Sequence, residues 1–121
     1  MGRLSNTKLL TSAPPKKIMT SQAYIRAVRD LYTRLPQTSK RFNRSDRQLA
    51  EDLYQRNVSF DTLRSALLLA TARRLCRNPA NSPLPPVRSL HYFLPVLDEI
   101  LHQPLPRGYV QYLEYKIAEP Q

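Results

Sequence analysis

The side chains on which catalysis could rest are few. His91 and His102 are the only histidines and Cys76 is the only cysteine. The nine carboxylates include two adjacent pairs, Glu51-Asp52 and Asp98-Glu99. A metal centre or an acid–base pair needs such groups to converge on one point. If a helix ran through both histidines they would stand about 16 Å apart at 1.5 Å per residue, too far to share a metal. No H-x-E, H-E-x-x-H or C-x-x-C occurs. Adjacent carboxylates on a helix splay towards solvent. Seven tyrosines offer nucleophiles for strand transfer, but no histidine cluster or set of supporting basic groups accompanies them. The expectation is therefore a non-enzymatic protein with no catalytic residues, no metal and no cofactor. A lone cysteine cannot close an intrachain disulfide, which points to a reducing compartment. Its apolar surroundings in the sequence suggest a small core residue.

The chemistry that the composition favours is anion binding. The chain of 121 residues carries a net charge of +10, and residues 1–88 hold 17 basic against 5 acidic side chains, a local excess of +12. Residues 89–121 are slightly acidic, at −2. Fourteen of the 19 cations are arginine, whose planar fork grips phosphate in a bidentate manner and stacks on bases. A pI near 10.3 exceeds what solubility alone requires. The candidate phosphate-binding residues are Arg26 and Arg29, then Lys40, Arg41, Arg44 and Arg47, then Arg64, and finally Arg73, Arg74 and Arg77. Ser45 and the first amides of the helix it is expected to cap, beside Arg44 and Arg47, would also suit a phosphate. Neutralising a backbone needs a density of cations, not a sequence code. The same arginines could instead meet the acidic surface of a protein.

The elements that must position these groups read as helices. With only two glycines and eleven prolines, hairpins and phosphate-cradling loops are not expected. Residues 1–19 have no sustained periodicity and contain Pro14-Pro15-Lys16-Lys17; they read as a flexible basic arm. No acid precedes Asp30, a composition that mitochondrial presequences share. Residues 20–121 read as one helical domain. Tyr24, Ile25, Val28, Leu31, Tyr32 and Leu35 form one stripe and predict a helix over 21–35, started by Thr20 or Ser21 and stopped by Pro36. Asp30 and Arg34 are spaced as a helical ion pair. The linker 36–44 is basic, with Phe42 set to pack on the core. A second helix is predicted over 46–56, with Ser45 and Gln48 as a capping box and Asn57 in the left-handed position at its end. A third spans 60–77, capped by Ser59 and apolar almost all round between Ala66 and Ala72, hence central and buried. The loop 78–86 holds four prolines and reads as stiff. Pro95 leaves two alternatives for 88–102, one kinked helix or a short turn followed by a helix from Leu94. A last helix spans about 107–118, with Val110, Leu113 and Ile117 inward. The result is an all-α bundle of about five helices. No apolar run approaches the roughly 18 residues of a membrane span.

The second and third helices resemble a helix-turn-helix through Ala50, Val58, Ser59 and Leu63. However, the second helix is about one turn too long, and the third is too apolar to lie in a major groove. A core helical hairpin is the simpler reading. In the acidic third, Tyr92, Phe93, Tyr109 and Tyr112 could dock a protein partner, the charge then steering the encounter. An interaction adaptor is therefore the alternative function, and a ribosomal-type structural protein is a third.

Two resemblances bear on this. The stretch RSDRQLAEDLYQRNVSFDTLRSALLLATARRLCRNPANSPLPPVRSLHYFLPVLDEIL, about half the chain, resembles small helical domains of bacterial mobile-element replication or DNA-handling proteins. In size, helicity and charge the chain is similar to the small helical subunit of CRISPR effector complexes, which has no chemistry and lines a path for nucleic-acid backbone. Both imply an accessory subunit that binds nucleic acid backbone with little regard to sequence, beside larger protein subunits. The location implied is the bacterial cytoplasm or nucleoid. DNA is the expected polymer on that resemblance; the residues themselves do not separate DNA from RNA.

Overall fold

A computed structural model describes residues 19–77, 80 and 84–118. The expected arm therefore lies outside the described residues, apart from Met19, as does part of the proline-rich loop. The described chain is all-α. Helix α1 is Ser21–Arg34, α2 Arg44–Gln55, α3 Phe60–Leu75, α4 Leu94–His102 and α5 Tyr109–Ala118, with a 3-10 turn at Leu90–Phe93.

The Thr20 hydroxyl accepts from Ala23 N–H at 3.1 Å and starts α1. Every member of the expected stripe, from Tyr24 to Leu35, is buried. The expected ion pair between Asp30 and Arg34 does not form. Arg34 Nε donates instead to the Asp30 carbonyl at 3.2 Å, and the Asp30 carboxylate lies 3.6 Å from Arg29. The same carbonyl also accepts from the Thr33 hydroxyl at 3.3 Å.

Helix α2 departs from expectation at its start. Asn43, not Ser45, is the cap: Asp46 N–H donates to Asn43 Oδ1 and Asn43 N–H to Asp46 Oδ2, each at 3.0 Å. Ser45 is exposed one residue inside the helix. At the other end Asn57 has φ +64. Val58 N–H reaches back to the Leu53 carbonyl and Asn57 N–H to that of Tyr54, the paired bonds of a Schellman cap.

Ser59 caps α3 as expected, accepting from Thr62 N–H at 3.1 Å. From Ser65 to Ala72 every residue of α3 is buried. Its two hydroxyls bond back along the helix, Ser65 to the Asp61 carbonyl and Thr71 to that of Leu67, so neither is stranded. Helix α3 packs on α1, α4 and α5. A fully buried leucine such as Leu67 contributes about 2 kcal/mol. The helix stops at Leu75, two residues before the expected end, and Cys76 is its exposed C-cap. The reading of Cys76 as a core residue is thereby corrected: it falls one position past the last buried turn. The alternatives around Pro95 resolve as a turn followed by a helix. Pro95 sits in the first turn of α4, where a missing N–H breaks no helical bond. In α5 only Leu113 is fully buried, with Val110 and Ile117 half-buried. Phe42 is half-buried against the core, its ring 5.9 Å from Tyr32. All five helices contribute to one buried cluster.

Tyr24 in this cluster is unusual. Its ring stands edge-on to Tyr54 at 5.3 Å, and its hydroxyl is buried with no hydrogen-bond partner among the described residues. Burial pushes its pKa up to about 12. Because the folded state holds the proton more tightly, stability is unaffected below pH 10 and falls as pH rises from 10 towards 12. Tyr24→Phe removes the stranded hydroxyl. It is expected to raise stability at neutral pH by about 1 kcal/mol and to flatten part of the alkaline loss, as read by urea denaturation. A clear loss of stability at neutral pH would show that the hydroxyl has a partner.

Candidate nucleic-acid interface

The basic linker after α1 is held by the end of that helix. Thr38 Oγ1 donates to the carbonyls of Tyr32 and Leu35, both at 3.1 Å, and Lys40 Nζ donates to the Leu35 carbonyl at 2.7 Å. These donors satisfy orphan carbonyls, and the ammonium suits the negative end of the helix. Gln37 and Lys40 take left-handed conformations, φ +74 and +69, which fold the linker back on itself. The linker then pairs with a distant segment. Val87 N–H donates to the Gln37 carbonyl and Ser39 N–H to the Val87 carbonyl, each at 2.7 Å, a short parallel bridge in an otherwise helical molecule.

Asp46 locks the same junction from the other side. It is fully buried. Besides the cap bond, its Oδ1 accepts from Leu90 N–H at 2.9 Å and from the Ser89 hydroxyl at 3.2 Å. A buried carboxylate is tolerated when donors surround it in this way. The start of α2 is thus tied to the start of the 3-10 turn. Arg88 is brought beside Arg41, where the two line a cavity of about 380 Å³ together with Ser39 and Asn43.

The eleven candidate residues divide sharply. Arg26, Arg41, Arg44 and Arg47 are exposed and have no ionic partner among the described residues. Ser45 is exposed beside them. Arg29 is exposed 3.6 Å from Asp30. Lys40 is committed to the end of α1. Arg64 pairs with Glu114 and joins α3 to α5. Arg73 grips both oxygens of Glu99 at 2.9 and 3.0 Å and joins α3 to α4. This contact holds the exposed Glu99 carboxyl below its ordinary range.

Arg74 is buried, a correction to its expected role at the surface. Its guanidinium donates to Gln37 Oε1, to the Tyr92 hydroxyl and, at 2.6 Å, to the Pro85 carbonyl, and it lies over the Tyr92 ring. It is a strut beneath the basic surface. Arg77 is half-buried in a hollow with Tyr92 and Leu84. At the start of α2 the Asp46 N–H is already taken by Asn43 Oδ1 and the Asp46 carboxylate closes the capping box through Asn43 N–H, so that end offers a phosphate fewer donors than expected.

Sequence reasoning missed Asn43, Asp46, Ser39 and Arg88. The Asn43-x-x-Asp46 spacing was the available signal for the cap. Arg88 carried no local signal, because its importance comes from the bridge to the linker. The buried α3, with Arg64 engaged, leaves little to enter a groove. The expected hairpin is corrected, since α2 packs on α1 and the 3-10 turn while α3 packs on α1, α4 and α5. Phe93, one of the expected docking aromatics, is buried in the core. Tyr112 and Tyr115 of α5 are exposed.

Among the described residues no group of three or more His, Cys, Asp and Glu side chains could hold a metal ion. No helix among them is long and apolar enough to cross a membrane. No model of a known protein family, no curated protein and no solved structure matches this chain.

Proposed function

We propose that this protein binds nucleic acid through its phosphate backbone, with no catalytic role, using the surface built by Arg41, Arg44, Arg47 and Arg88 and extended by Arg26. One observation supports the reading. Of the arginines expected to bind phosphate, Arg29, Arg64 and Arg73 each face a carboxylate, whereas Arg26, Arg41, Arg44 and Arg47 are exposed without an ionic partner among the described residues, and Arg88, likewise unpaired, lines one cavity with Arg41. A cluster of unneutralised guanidinium groups on a rigid support suits a polyanion. DNA inside a larger assembly, as in a mobile-element or CRISPR-type complex, is the setting that the sequence resemblances suggest.

Fluorescence anisotropy with single- and double-stranded DNA and RNA across a salt series tests this. Four or five phosphate contacts give a log–log salt slope of about −3 to −4. Affinity that does not change between low and physiological salt would sink the proposal.

A second reading rests on a different surface. A hollow of about 690 Å³ between the α2–α3 turn and α4 is lined by Leu53, Val58, Leu94, Leu97 and Leu101, and Leu101 is exposed. An adaptor would dock a protein partner there, and the complex would survive nuclease treatment.

A further inference from the structure

We propose that Arg41 and Arg88 hold one and the same phosphate of the bound strand, in the cavity between the 37–43 linker and residue 88. The inference rests on the nucleic-acid reading above and assigns that interface its fixed point. The cavity is lined by Ser39, Arg41, Asn43 and Arg88, with no carboxylate among them. Its chemistry is that of donors. Both guanidinium groups lack an ionic partner among the described residues. Asn43 spends its side-chain oxygen on Asp46 N–H, which leaves its amide nitrogen as a donor. Ser39 completes the lining, but its hydroxyl is buried beside the Tyr32 phenol, so the donors left to the cavity are the two guanidinium groups and the Asn43 amide. A phosphodiester, which only accepts hydrogen bonds and carries a negative charge, complements this lining.

The support is rigid where it needs to be. Two 2.7 Å bonds between Val87 and the linker fix Ser39 against residue 87, and Asp46 fixes Asn43 against Ser89 and Leu90. Arg41 and Arg88 therefore start from backbone positions that do not drift apart. The remaining arginines, Arg44 and Arg47, lie along α2 outside this cavity and would meet other phosphates.

A double-mutant cycle on the full chain tests this. Arg41→Gln, Arg88→Gln and the double variant are titrated with a single-stranded oligonucleotide across a salt series, and melting temperature checks the fold. Each single change is expected to weaken binding about tenfold. The double variant is expected to be little worse than either, because residues that share one partner are not additive. The salt slope falls by about one phosphate's worth in all three. The pair Arg41→Gln and Arg47→Gln, on separate phosphates, is expected to be additive, with about a hundredfold loss.

Additive losses for Arg41 and Arg88, or an unchanged affinity for Arg88→Gln, would overturn the shared phosphate while leaving the nucleic-acid reading intact. If the unaltered chain binds no strand, that reading fails instead. Tight, saturable binding of inorganic phosphate, seen in the Nε–H signals of Arg41 and Arg88, would then identify free phosphate as the ligand and overturn the strand assignment.

Discussion

Replacing Arg41, Arg44 and Arg47 together by glutamate is expected to reduce affinity for nucleic acid at low salt by about three orders of magnitude, at roughly 1.4 kcal/mol for each lost phosphate contact. The net charge falls from +10 to +4, and the new carboxylates repel the strand where the arginines attracted it. The fold is not at risk. All three side chains are exposed, and Arg44 and Arg47 occupy the first turns of α2, where glutamate suits the positive end of the helix. Thermal melting should therefore be unchanged or slightly raised while binding is lost. Arg73→Gln is the matched control. It removes a cation that Glu99 already neutralises, so affinity should stay within a factor of about two. A triple variant that still binds within threefold of the unaltered protein would show that the polyanion sits elsewhere.

Asp46→Ala is expected to destabilise the fold by about 3 kcal/mol, although Asp46 touches nothing in the proposed ligand. Its carboxylate accepts three hydrogen bonds, the cap bond from Asn43 N–H and two more from Leu90 N–H and the Ser89 hydroxyl. Alanine strands these donors in a buried place, and each unsatisfied group costs about 1 kcal/mol or more. Asp46→Asn keeps the shape and part of the acceptor capacity, and should lose less. Urea denaturation reads both as a shifted midpoint with an unchanged slope. A loss below about 1 kcal/mol for the alanine variant would mean that the junction of α2 with the 3-10 turn is held by apolar packing alone.

The two variants separate what the sequence disclosed from what it hid. Periodicity placed the helices well because each stripe is local: Tyr24, Ile25, Val28, Leu31 and Tyr32 are all buried along one face of α1. Thr20, Asn57 and Ser59 act on their own helix ends and were readable for the same reason. The start of α2 was ambiguous, since Ser45-x-x-Gln48 and Asn43-x-x-Asp46 offer overlapping caps. What decides between them is the approach of Ser89 and Leu90, more than forty residues away along the chain. The sorting of the arginines is likewise non-local. Arg64 and Arg74 look as available in sequence as Arg44 and Arg47. One meets Glu114, fifty residues away, and the other is buried under Tyr92 and Pro85. Charge density was legible, but its neutralisation was not. Cys76 misled because an apolar run says nothing about which residue closes the last turn.

The bridge between the linker and Val87 has a consequence for the order of assembly. The chain from α1 to α3 can form contacts among near neighbours, whereas Val87 meets Tyr32 across 55 residues. Closing so long a loop is slow compared with forming helices. During synthesis from the N-terminus, the arginines of α2 emerge early but have no partner surface until residues 87–90 follow. The basic face is thus completed late, and a nascent chain that has made only its first three helices carries the charge without the grip.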